Sequence, residues 1–262
     1  MNIFLYELKS QLKSVFLWTF FLLLFFFAYV FGIYPIFQDS MQNIKQMVSG
    51  FPPGFSKAFG FDLLSMFQYS GFYTFLFQYL ALLGAIMTAY FTVSIFGEET
   101  KSHCQDFLFT KPIKRAHIFF LKLFSVIGLL VISNLFYIIS ALLLFQKYDT
   151  KKHMILASLC LFFTELVFVG CGIFYTVFAK KIRSISGIAC AFGFIAFILG
   201  AMTRIINETY FYYLSPFSFF DPGVLWKQNH LKISYVIWAV ILFFTQIAIS
   251  FFYYCKKDSK TL

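Results

Sequence analysis

Val15-Phe-Leu-Trp-Thr-Phe-Phe-Leu-Leu-Leu-Phe-Phe-Phe-Ala-Tyr-Val-Phe-Gly-Ile-Tyr34 is a run of 20 residues without a single charge. At 1.5 Å rise per residue a helix of this length crosses about 30 Å of hydrocarbon. The apolar residues are continuous rather than confined to one face. Barrel strands would alternate apolar and polar with period two, and this run does not. Five further runs share the pattern, at 72–96, 123–145, 154–179, 185–202 and 233–254. The expected fold class is therefore an all-α integral membrane protein with six transmembrane helices. No internal repeat or low-complexity linker divides the chain, so residues 1–262 read as one transmembrane domain. The first run is too long for a cleavable signal and reads as a span.

Composition agrees. The chain is 60% hydrophobic and 12% charged, with 42 Phe, whereas a soluble domain carries about twice that charged fraction. The net charge of +10 does not point to nucleic acid, because the basic residues are scattered over short loops. Cys104, Cys160, Cys171, Cys190 and Cys255 form no spaced framework and read as small packing residues.

The basic residues set direction instead. Segments 1–14, 97–122, 180–184 and 255–262 hold 13 Lys/Arg in 53 residues, and the opposite segments hold 8 in 75. An even number of crossings puts both termini on the richer side, which predicts cytoplasmic N and C termini. Phe4, Leu5, Leu8 and Leu12 share one helical face while Glu7, Lys9 and Lys13 occupy others. That pattern predicts a short N-terminal interfacial helix along the inner leaflet, the alternative being a simple extension of the first span. On the outer side, residues 35–71 are broken by Gly50-Phe51-Pro52-Pro53-Gly54. Residues 213–223 are aromatic but punctuated by Pro216 and Pro222, too broken to span and too apolar to sit in water. A re-entrant outer hairpin between spans five and six, with Phe217 and Phe219 buried and closing the outer mouth of a path, is the expected solution.

Between the second and third runs lies Glu98-Glu-Thr-Lys-Ser-His-Cys-Gln-Asp-Phe-Leu-Phe-Thr-Lys-Pro-Ile-Lys-Arg115. Residues 97–117 hold three acids, four Lys/Arg and two His. The acidic start and basic end complement a helix dipole, which predicts a helix starting near Glu98 and stopped by Pro112. Two readings stand: a helix that transmits motion to the flanking spans, or a solvated loop whose charge only sets orientation.

The segment resembles the coupling region of ABC type-2 exporter permeases. Glu98 and Glu99 match the family's acidic pair. Asp106, the apolar triplet Phe107-Leu108-Phe109, Thr110, Lys111, Pro112, Ile113 and Arg115 match the rest in order, and Lys122 stands where the next span commonly begins with Lys. The chain departs from the pattern at His103-Cys104, where many members carry Gly-Thr. The layout is also similar: an N-terminal helix, six spans, a broken outer segment and a Ser-Pro-Phe hairpin. The resemblance implies the ABC type-2 exporter permease fold in a bacterial plasma membrane. It also implies a dimer with a second permease copy or paralogue and two ATPase subunits that bind ATP and magnesium. No phosphate-binding Gly-x-x-x-x-Gly-Lys-[Ser/Thr] loop occurs in this chain, so no nucleotide cofactor is expected on it and it is not expected to be an enzyme. The resemblance makes Glu98, Glu99, Asp106, Phe107, Leu108, Phe109, Lys111, Pro112 and Arg115 the expected ATPase-coupling residues.

Polar residues inside the spans are few. Glu165 is the only acid there; at that depth a carboxylate costs about 2.5–3.5 kcal/mol and must be protonated, paired or facing water. It either lines a substrate path with Asn134 or makes a packing hydrogen bond to Thr164, Asn134 or another neighbour. Asn134, Gln78 and Gln246 read as interhelical hydrogen-bonders. In the fifth span Gly187 pairs with Ala191, Ala189 with Gly193 and Ala196 with Gly200 at spacing four. This is a helix-contact face, either within the chain or at the dimer seam that the resemblance places near spans one and five.

Other classes fit less well. Glu98-Glu99 resembles the Glu-Glu-x-x-x-Arg start of intramembrane CaaX-type proteases, but the sixth position is His103 and no His lies within a span. A channel needs a filter or a ring of pore charges, and Glu165 alone supplies one residue per subunit. The aromatic fraction of 23% favours an amphipathic or hydrophobic substrate. The family likeness implies export of, or immunity to, such peptides, with drugs, lipids or sodium as alternatives.

Overall fold

The computed structural model describes residues 3–40, 46, 68–102, 114–145, 151–206, 209–220 and 230–256. Every regular element among them is helical. Helix α1 is Ile3–Ala28 and passes through a π-helical turn at Tyr29–Ile33 into α2, Tyr34–Asp39. The turn has a local cause. Pro35 has no N–H, and its ring meets the carbonyl four residues back. The ladder widens there, and the Tyr34 N–H donates to Tyr29 O five residues back. The remaining elements are α3 (Tyr69–Ser102), α4 (Arg115–Phe145), α5 (Lys151–Phe178), α6 (Ile185–Ile206), α7 (Thr209–Tyr212), α8 (Pro216–Phe219) and α9 (Ile233–Lys256).

Six helical stretches are long and apolar enough to cross a membrane: Phe4–Asp39, Tyr69–Glu98, Arg115–Leu143, Lys151–Phe178, Ile185–Ile206 and Ile233–Lys256. These stretches overlap closely with the six runs read from the sequence. Three extend well past them, because polar ends continue the helix beyond the hydrocarbon length. The second stretch is 89% buried over its most apolar window and the fourth 61%, while the others are 33% or less. Helices α3 and α5 therefore form the central pair. Helix α6 packs on α3, α9 on α5, and α4 on both α1 and α5. Outward-facing Phe16, Leu17, Phe20 and Phe21 on α1, and Ile195 and Ile198 on α6, are exposed. Such a surface belongs in lipid, and the chain is a multi-pass membrane protein.

Two details correct the sequence reading. The N-terminal residues form no separate interfacial helix; they continue without a break into the first span. Within it, Glu7 and Gln11 are buried against the bundle, whereas Leu5 on the apolar face is 51% exposed. Nor does a helix start near Glu98. Helix α3 runs through Glu98 and Glu99 to Ser102, and Arg115 opens α4. No proline stands between Tyr69 and Ser102, and Glu98, Glu99 and Lys101 are themselves good helix formers, so the ladder has no reason to stop at the end of the apolar run.

The ends of the helices sort into two groups. Phe119 packs on Phe251 and Tyr254, Phe178 stacks on Tyr253 at 4.3 Å, and Ser125 reaches Phe4 O at 3.4 Å. The start of α1 and the end of α9 thus lie at the same end of the bundle, with the end of α3 and the start of α4.

Candidate functional site

Three arrangements of buried polar groups stand out. The first joins four helices around Glu165. This residue is 1% exposed, and the Asn134 Nδ2 amide of α4 donates to its Oε2. The same amide also donates to Leu130 O at 3.0 Å, which fixes its orientation. The carboxylate lies against Gly84 of α3, where a Cβ would collide with its Oε1. Thr19 and Leu22 of α1, Met87 of α3, Ser133 and Tyr137 of α4 and Leu161 of α5 complete a crevice around it. Of the packing partners read from sequence, Asn134 is made. Thr164 instead turns its hydroxyl to Cys160 O at 2.8 Å. Thr19 and Gly84 were not among the sequence candidates, since one hydroxyl and one glycine in a greasy run carry no periodic signal.

The other two amides also bridge helices. Arg204 of α6 donates to Gln78 of α3 at 2.6 Å, and Gln246 of α9 donates to Cys171 of α5 at 3.3 Å.

The second arrangement lies at the end shared by the start of α1 and the end of α9. Lys122, only 2% exposed, donates to Ile95 O of α3 at 2.8 Å and sits 3.8 Å from Glu7 Oε1 of α1. Gln11 donates to Ser94 Oγ at 2.9 Å. These contacts tie α1, α3 and α4 together a few residues from Glu98 and Arg115. Glu98 is exposed and Arg115 half-exposed; Glu99 belongs to the same helix as Glu98. The remaining expected coupling residues, Asp106, Phe107, Leu108, Phe109, Lys111 and Pro112, lie outside the described residues. The sequence reading places Glu7 off the apolar face and does not single out Gln11, because it seeks an apolar face, whereas the buried face here is a polar i, i+4 pair.

The third arrangement seats residues 209–220 on the opposite end. Phe217, Phe219 and Phe220 are buried at 6%, 4% and 2% exposure. Phe217 packs 5.7 Å from Phe168, and Phe220 stacks on Phe163 at 5.8 Å. Ser215 donates to Ala196 O at 3.0 Å, and the Thr203 and Ser218 hydroxyls meet at 2.6 Å. Gly200 permits this approach: a Cβ there would stand 3.2 Å from Phe217 Cβ and from Ser215 Oγ. Gly193 similarly admits Ile86 of α3. Within the chain, then, the small-residue face of α6 contacts α3 and α8. Gly187 is not part of it; it is exposed, near Ser184 alone, because residue 187 lies on the far side of the first helical turn. Pro216 opens α8 half-buried, and Pro222 lies outside the described residues.

No group of three or more His, Cys, Asp or Glu side chains that could hold a metal is found among the described residues. No protein-family model matches the chain, and no curated protein or solved structure is detectably similar to it.

Proposed function

We propose that this chain is the transmembrane subunit of an ATP-driven exporter, working as a permease dimer above separate ATPase subunits in a bacterial plasma membrane. The observation that carries the reading is the continuity of the two helices leading into the Glu98–Arg115 segment. Helix α3 is 34 residues long and α4 is 31, against about 20 needed to cross the hydrocarbon. Force applied to the segment between them is therefore delivered to two continuous levers, one of them the most buried helix of the bundle. The Lys122, Glu7 and Gln11 contacts make the bases of α1, α3 and α4 move together. Motor and path are then separate chains that meet at Phe107, Leu108 and Phe109, with the surrounding charges at the rim.

Glu165 and Asn134 mark the polar level of the path, and the seated aromatics of residues 213–220 form its outer gate. A second copy adds to the path along exposed apolar faces such as that of α1. The aromatic walls suit an amphipathic or hydrophobic peptide.

The test is purification of the full chain from its native membrane in mild detergent, followed by identification of copurifying nucleotide hydrolases. Hydrolysis should rise on addition of amphipathic peptides to reconstituted vesicles. Purification of the chain with no ATPase, under conditions that retain other membrane complexes, contradicts the reading.

A further inference from the structure

Three oxygens around the Glu165 crevice are buried and have no hydrogen-bond partner: Thr19 Oγ1, Asn134 Oδ1 and Glu165 Oε1. They come from three different helices and line the same crevice. Buried polar atoms are almost always paired, so three orphans on one crevice call for a common partner. Their neighbours do not supply it. Ser133 Oγ is spent on Leu130 O at 2.9 Å, and the Tyr137 hydroxyl is shared with Tyr73 at 2.6 Å. Both amide hydrogens of Asn134 are used, so its Oδ1 is left as a pure acceptor. Two cations inside the bundle, Lys122 and Arg204, are engaged elsewhere. Lys122 is held by Ile95 O and Glu7, and Arg204 by Gln78.

We infer that Thr19, Asn134 and Glu165 form a binding site for one compact monovalent cation. A carboxylate oxygen, an amide oxygen and a hydroxyl are the ligand set of a hard cation. One carboxylate balances one positive charge, which removes the cost of an uncompensated buried ion. The crevice they line does not admit a water-sized sphere. Metal–oxygen contacts of about 2.3–2.6 Å for an ion the size of calcium, close in radius to sodium, need less room than a water hydrogen-bonded at about 2.8 Å. A bare alkali ion therefore fits more readily than a hydrated one. The same chemistry is available from the primary ammonium of an organic molecule. The site does not depend on the chain being a transport subunit.

The test is thermal unfolding of the purified full chain in detergent at equal ionic strength in sodium, lithium, methylammonium or choline chloride. Sodium or lithium should raise the midpoint over choline by at least about 2 °C, and the rise should vanish in Glu165→Gln. A rise with methylammonium alone assigns the site to ammonium groups and also supports it. Thr19→Val keeps the carboxylate and its Asn134 contact, and should weaken the rise; it carries the comparison if Glu165→Gln does not fold. Equal midpoints of the natural chain in all four salts overturn the proposal and leave Glu165 as an acid that keeps its own proton. A rise that persists undiminished in the variants places the cation elsewhere and overturns it too.

Discussion

Lys122 donates from Nζ to Ile95 O, with its ammonium 3.8 Å from Glu7 Oε1 and 6.0 Å from the Phe96 ring centroid. Lys122→Met keeps most of the apolar stem but strands a buried carbonyl and removes a buried carboxylate's cation. The expected loss is about 2 kcal/mol or more, seen as a lower unfolding midpoint in detergent. An unchanged midpoint would show that the ion pair is fully replaced by water. Gly84 separates two opposing effects. Gly84→Ala gains about 1 kcal/mol of helix propensity. Its methyl also drives the Glu165 carboxylate off the Asn134 amide, leaving a buried charged group unsatisfied at about 1.5–3 kcal/mol. Net destabilisation by about 1 kcal/mol is expected, whereas Gly32→Ala, whose Cβ meets nothing within 4 Å, should be neutral or better. Stabilisation by Gly84→Ala would mean that the carboxylate does not rest there. A lone acid in a greasy run announces itself, so Glu165 was legible in the sequence. Thr19 and Gly84 are defined only by which helices become neighbours, and that is not written locally.

The six spans were legible at the scale of elements because length and hydropathy alone decide them. Their polar extensions were not. Hydropathy windows end where charge begins, yet a helix ladder ends only where a breaker or cap stands. Hence α3 carries Glu98 and Glu99 to Ser102, α4 starts at Arg115, and α1 absorbs the expected interfacial helix. The burial of Phe217 and Phe219 was legible from their being too apolar for water and too broken to span. What holds them is a glycine two helical turns from Gly193. Gly200→Leu should therefore lift residues 215–219 off α6, raising the accessibility of a cysteine placed at Ser218 to a membrane-impermeant thiol reagent several-fold. Accessibility equal to that of the Gly200 parent would show that α8 is held by its stacking on α5 and α9 alone.

For the molecule as a whole, the layout of a buried α3–α5 pair ringed by lipid-facing helices follows from which apolar faces are outward. The proposed transmission of work rests on a shorter argument, that two unbroken helices converge on one charged segment with three central apolar residues. In such an interface a central anchor is worth about 2 kcal/mol or more and a rim charge under about 1 kcal/mol. The most direct measurement is ATP-driven transport and ATPase copurification by the full chain carrying Phe107→Ala, Leu108→Ala and Phe109→Ala together, beside Lys101→Ala. The account predicts that the triple variant releases the ATPase or hydrolyses ATP without transport, while Lys101→Ala stays close to the natural chain. Full ATPase binding and full coupled transport by the triple variant would contradict it.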